Sequence, residues 1–129
     1  VPQWDREATQ TTLTQPHRRL LKLLKELGLE VTVEVRVERY SLDCFAEEVW
    51  CGFEADGWRT HAGLKKRARD AVRDRWIFDN ARIPVLRVDE NALRPAVWPE
   101  TKKLVMEFIE RYSQDVEQRK EQGRWVVDV

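Results

Sequence analysis

The stretch YSLDCFAEEVWCGFEADGWRTH (40–61) decides how the chain is read. Two apolar runs, YSLDCFA (40–46) and VWCGFEAD (49–56), are joined through Glu47 and Glu48 and read as a β-hairpin. Side chains alternate across a strand, so residues of one parity share a face. With Asp43 opposite Glu54, one face carries Ser41, Asp43, Phe45, Trp50, Gly52, Glu54 and Asp56. The other carries Leu42, Cys44, Cys51, Phe53 and Ala55, all apolar or small. The acids are sorted to one side and the core to the other.

Acids gathered on one face between apolar strands need a reason. Carboxylates within about 4–6 Å of each other repel, and each raises the other's pKa unless a cation intervenes. A hard divalent ion such as Mg²⁺ removes the repulsion, taking one or two carboxylates plus water and phosphate oxygens. Asp43 and Glu54 would supply that pair, and the ion could activate water against a phosphodiester. The plainer reading is a solvated acidic face, with Gly57 an ordinary turn glycine and His61 a surface histidine.

Upstream, TQPHRRLLKLLKELG (14–28) reads as a helix capped by Thr14, with Pro16 in its first turn and Gly28 at its end. Leu20, Leu23, Leu24 and Leu27 form its apolar stripe. EVTVEVRVER (30–39) alternates strictly, which places Val31, Val33, Val35 and Val37 on one face of a strand. Downstream, GLKKRARDAVRDRWIFDN (63–80) is a helix whose apolar side is expected from Leu64, Ala68, Ala71, Val72 and Trp76. IPVLRV (83–88) is a short strand of the buried type. A long helix then starts near Pro99, with Leu104, Val105, Phe108, Ile109, Tyr112 and Val116 at helical spacing. Its later part, SQDVEQRKEQG (113–123), is polar and expected to project into solvent. RWVVDV (124–129) could add a last strand. Residues 1–13 read as an N-terminal arm and 112–129 as a C-terminal extension of one domain.

This order implies an α/β sandwich, a small mixed central sheet flanked by helices. Charged residues make up 36% of the 129 and hydrophobic ones 42%, with no apolar run long enough to span a membrane. An intracellular, cytoplasmic protein with no membrane partner is expected. The 23 basic and 23 acidic residues cancel, which argues against a polyanion binder held by bulk charge. Cys44 and Cys51 are too few for a structural zinc site and read as small buried residues. No nucleotide-binding glycine loop and no Ser/His/Asp pattern is present.

The order and spacing of ELGL (26–29), Asp43, EADG (54–57), His61, the RD pairs at 69–70 and 73–74, and VLR (85–87) resemble the PD-(D/E)XK nuclease superfamily. The nearest likeness is to very-short-patch-repair-like small endonuclease domains, over roughly residues 15 to 110. That resemblance implies a restriction-endonuclease-like fold and an Mg²⁺-dependent DNA endonuclease, with Mn²⁺ as a substitute ion, in a prokaryotic or phage-like setting. Asp43, Glu54 and the carbonyl of Ala55 would be metal ligands. Asp56, standing where many members carry lysine, would bind a second ion or orient water. His61 would be an acid/base, and the helix aspartate would be Asp74 or, one turn earlier, Asp70. His17 stands where the family's first helix usually carries glutamate; it would take over a ligand or base role, or be a surface histidine. Lys65, Lys66 and Arg67 would meet phosphates, or else the basic residues of this helix pair with Asp70, Asp74 and Asp79. Trp58 would stack on a base or cap the core. One site nicks one strand, so a double-strand break would need a homodimer or a partner protein. The alternative is a catalytically inactive nuclease-fold module for DNA binding or assembly.

Overall fold

A computed structural model of the chain describes residues 13–57 and 63–129. In chain order the elements are α1 (Gln15–Glu26), β1 (Thr32–Val37), β2 (Tyr40–Ala46), β3 (Cys51–Asp56), α2 (Leu64–Ala81) and β4 (Val85–Asp89). Two 3₁₀ turns follow, then α3 (Trp98–Arg111), α4 (Val116–Gly123) and β5 (Val127–Asp128). The strands form one five-stranded mixed sheet in the order β4-β3-β2-β1-β5. All neighbours are antiparallel except β3 and β4, which run parallel and so need the α2 crossover. The protein is thus α/β, a mixed sheet flanked by helices. Among the described residues no helix is long and apolar enough to cross a membrane.

α1 begins where Thr14 Oγ1 accepts the His17 N–H, and the chain leaves it through Gly28 at φ +84°. Its leucines meet Cys44, Phe53, Val88 and the inner face of α3, including Val105 and Phe108, on one side of the sheet. On the other side Val35, Val37, Leu42, Phe45 and Trp50 pack with Ile77 and Ala81 of α2 and with Val126. Both cysteines are free and buried.

Four expectations from sequence are corrected. β1 does not alternate throughout: Val31 and Val33 pack with the α1–α3 cluster, whereas Val35 and Val37 belong to the α2 cluster. The change of face falls at Glu34, whose φ of +52° inverts the pleat. β2 follows, with Cys44 opposite Val33 on one face and Leu42 opposite Val35 on the other. The residue of β2 between them is Asp43.

The apolar side expected for the first half of α2 is turned outward. Leu64 and Val72 are 77% and 67% exposed, and Ala68 and Ala71 are exposed too. The inward positions there are Asp70, Arg73 and Asp74, because this half of the helix covers charged strand ends rather than core. Only the second half, through Ile77 and Ala81, is buried in the usual way.

The single long helix is two helices, and residues 113–123 do not project into solvent. α3 ends at Arg111, and α4 folds back so that Arg119 is only 1% exposed. Arg119 donates to the carbonyls of Trp50, Arg82, Val49 and Tyr112 at 2.7–3.3 Å and to Asp115 at 2.9 Å. Gly123 lets α4 approach this close: a Cβ there would lie 1.8 Å from the Ala81 carbonyl oxygen. Finally, Leu104 lies outside the buried stripe of α3, which runs through Trp98, Thr101, Val105, Phe108 and Ile109.

Candidate active site at a strand fork

The β2–β3 ladder pairs Ala46 with Cys51, Phe45 with Gly52 and Cys44 with Phe53, then stops. Beyond it β2 continues along β1, while β3 continues along β4, with Glu54 beside Arg87 and Asp56 beside Asp89. The two strands fork at Asp43 and Glu54. Side chains take over the hydrogen bonds that the backbone ladder gives up. The Asp43 N–H donates to Glu54 Oε2 at 2.5 Å, and the Ala55 N–H donates to Asp43 Oδ2 at 2.9 Å. The opposition of Asp43 and Glu54 expected from the hairpin pattern is therefore present. It is the N–H of Ala55 that meets Asp43.

His17 reaches the same point from α1. Its Nε2 lies 2.8 Å from the Asp43 carbonyl oxygen, and since a carbonyl only accepts, Nε2 carries the proton. At 7% exposure it is not a surface histidine. It ties the first helix to the backbone of Asp43.

Glu54 is 7% exposed. Burial and the neighbouring charge of Asp43 push its pKa up to about 8, against the opposing pull of Arg73, the Asp43 amide and Arg87. Arg73 Nη2 lies 2.7 Å from Glu54 Oε1. Both oxygens accept from donors, which favours the ionised carboxylate, while burial and Asp43 oppose it.

The second guanidinium belongs to Arg87 on β4. It grips Asp74 through Nε at 2.7 Å and Nη2 at 2.9 Å, and its Nη1 lies 3.1 Å from Asp56 and 3.5 Å from Asp70. Burial works against its charge, but Asp74 first, then Asp56 and Asp70, hold its pKa above the ordinary arginine value. Lys66 bonds Asp70 at 2.7 Å; slight burial opposes, but Lys66 and Arg87 hold the Asp70 carboxyl below its usual range. Arg73 Nη1 completes the network at Asp74 Oδ1, 2.9 Å away.

The structure therefore joins Asp43, Glu54, Asp56, Asp70, Asp74 and His17 at one end of the sheet. Of the expected phosphate-contacting residues, Lys65 and Arg67 are exposed at the start of α2, and Lys66 is paired. Trp58 and His61 lie outside the described residues. Arg87 was missed as a site residue, although an arginine inside the apolar strand PVLRV (84–88) is itself a signal. Arg73 was legible only as one of six basic residues on α2.

Among the described residues no group of three or more His, Cys, Asp or Glu side chains is arranged to hold a metal ion. A hard cation that keeps its waters needs fewer protein ligands, one or two carboxylates being enough. Asp43 and Glu54 fit that donor set, and the raised pKa of Glu54 marks a place where added positive charge is favoured. No protein-family model, no curated protein and no solved structure matches the chain.

Proposed function

We propose that the chain is a metal-dependent endodeoxyribonuclease of the PD-(D/E)XK type, hydrolysing DNA phosphodiester bonds by water attack. The observation that carries this reading is the fork, where Asp43 and buried Glu54 are brought together by bonds to each other's strand. The element order also supports it: a helix, three antiparallel strands, a crossover helix and a fourth strand parallel to the third accord with the resemblance drawn from sequence.

In this reading Asp43 and Glu54 hold Mg²⁺ or Mn²⁺, which when bound makes water nucleophilic and offsets charge on the phosphodiester. The chain's own residues do the rest. His17 fixes the Asp43 backbone, and Arg87 clamps Asp56 and Asp74 so that β3, β4 and α2 keep their spacing around the fork. Lys65 and Arg67, exposed beside the site, contact the phosphate backbone, which positions a strand without reading its sequence. One site cuts one strand, and sequence preference is low or supplied by a partner.

The test is plasmid nicking with Mg²⁺, Mn²⁺ or EDTA by the wild type, Asp43→Ala and Glu54→Ala. Nicking that needs metal and both carboxylates is expected. A folded wild type that cuts neither plasmid, mismatched nor branched DNA sinks the stand-alone nuclease. One observation favours the second reading, an inactive DNA-binding or assembly module: Glu54, Asp56, Asp70 and Asp74 each already have a cationic partner. DNA binding without metal uptake or cleavage is its signature.

A further inference from the structure

The two guanidinium groups of the site are held differently. Arg87 is saturated by carboxylates: it makes a two-pronged contact with Asp74 and reaches Asp56 and Asp70 as well. Arg73 has a single contact with Glu54 and a single contact with Asp74, and its Nη2 also donates to the Ser41 carbonyl. Its guanidinium lies 5.8 Å from the centre of the Tyr40 ring, and its side chain is 15% exposed, so it borders solvent. Among the described residues it is the one cation in ion-pair contact with Glu54.

We infer that Arg73 and a divalent cation compete for Glu54 Oε1, and that Arg73, once displaced, turns to a phosphate oxygen of the DNA strand. This rests on the nuclease reading above. Arg73 and a cation bound by Glu54 meet the same oxygen, and like charges do not share it at close range. The displaced guanidinium keeps Asp74 as a hinge and presents the planar donor fork that suits phosphate. Arg73 thereby stands in for the cation when none is bound and becomes a substrate contact when one is. Cation and DNA should then help each other bind, and by linkage the help is reciprocal.

The experiment is Mn²⁺ titration by calorimetry of the DNA-free wild type, Arg73→Gln and Arg73→Lys. Alongside it, duplex-DNA binding is measured by fluorescence anisotropy in EDTA and in Ca²⁺. With its competitor gone, Arg73→Gln should bind Mn²⁺ about five- to tenfold more tightly than wild type. Ca²⁺ should strengthen DNA binding by wild type and leave that of Arg73→Gln little changed. Arg73→Lys keeps the charge without the fork, so it carries the test should the glutamine variant not fold; its Mn²⁺ affinity should rise by about twofold or more. Unchanged or weaker Mn²⁺ binding in the folded variants overturns the inference and makes Arg73 a tether of Glu54, while wild-type nicking leaves the nuclease reading standing. No Mn²⁺ uptake by wild type, with Asp43→Ala indistinguishable from it, overturns both.

Discussion

The β2–β3 hairpin has one buried arginine at its turn end and two half-buried arginines at its fork end, and the two ends are built on opposite principles. At the turn end Arg119 is 1% exposed and is matched mainly by backbone carbonyls, with Asp115 its one carboxylate among the described residues. At the fork end Arg73 and Arg87 are 15% and 21% exposed and meet side-chain carboxylates. Among the described residues that pair there, Asp43, Glu54, Asp56, Asp70 and Asp74 outnumber Lys66, Arg73 and Arg87. Carbonyls cannot change charge, so a guanidinium matched to them fixes the fold and nothing else. A guanidinium facing surplus acid near solvent can be exchanged for another cation. On the proposed reading, the contrast separates an arginine that holds the fold from one that serves the site.

The largest effect should come from the turn end. Arg119→Met removes the guanidinium bonds to four carbonyls and to Asp115, and a loss of about 3–5 kcal/mol is expected in urea denaturation. Cleavage per folded molecule should be unchanged; a fall in activity without a fall in stability would erase the distinction between the two ends. Gly123→Ala tests the same region through backbone contact. Its Cβ meets the Ala81 carbonyl, so α4 must move away from α2, at a cost of about 2–3 kcal/mol.

The fork end should respond to pH instead. A carboxyl whose pKa is higher folded than unfolded holds its proton more tightly in the folded state. The contribution of Glu54 to stability is therefore greatest in acid and declines as pH rises from its ordinary value near 4.5 to about 8. In metal-free protein Glu54→Gln should remove that decline, gaining on the order of 1–2 kcal/mol relative to wild type between pH 5 and pH 8. Added Mn²⁺ should restore wild-type stability at pH 8 and do little for the variant. Parallel stability–pH curves for the two proteins would mean that Arg73 already neutralises Glu54 in full.

The same contrast explains what could be read from the chain. The opposition of Asp43 and Glu54 was legible as a local period-two signal. So was α1, from its cap and leucine stripe. The fork was not, and the face read as Leu42 with Cys44 is split, Cys44 packing with the α1–α3 cluster and Leu42 with Phe45 and Trp50 in the α2 cluster. The partners of the acids were not: Arg87 stands beside Glu54 and reaches Asp56 and Asp74 through a parallel pairing across an 18-residue helix, and no local pattern sets that register. Arg119 was read as solvent-facing because a polar helix ordinarily is, and its carbonyl partners are invisible in sequence. The outward Leu64 and Val72 misled for the converse reason, since helical spacing does not say which stripe faces the sheet. The face switch at Glu34 rests on a positive φ that no glycine announces.

The smallest effects should come from Lys65 and Arg67, which are exposed on α2 at the margin of the fork. Substituting either by alanine leaves no buried group unpaired, so stability should stay within about 0.5 kcal/mol of wild type. If they meet phosphates, each substitution should weaken DNA binding evenly across sequences and lower the slope of log K against log salt by about one. Lys66→Ala should differ from both, because Lys66 is spent on Asp70 and contributes less to that slope. Three equal slopes would mean that the Lys66–Asp70 pair opens on DNA, and the line between committed and exchangeable cations would then run through α2 itself. No change at Lys65 or Arg67 would move the DNA path off the start of this helix and leave Arg73 as the residue through which α2 meets the strand.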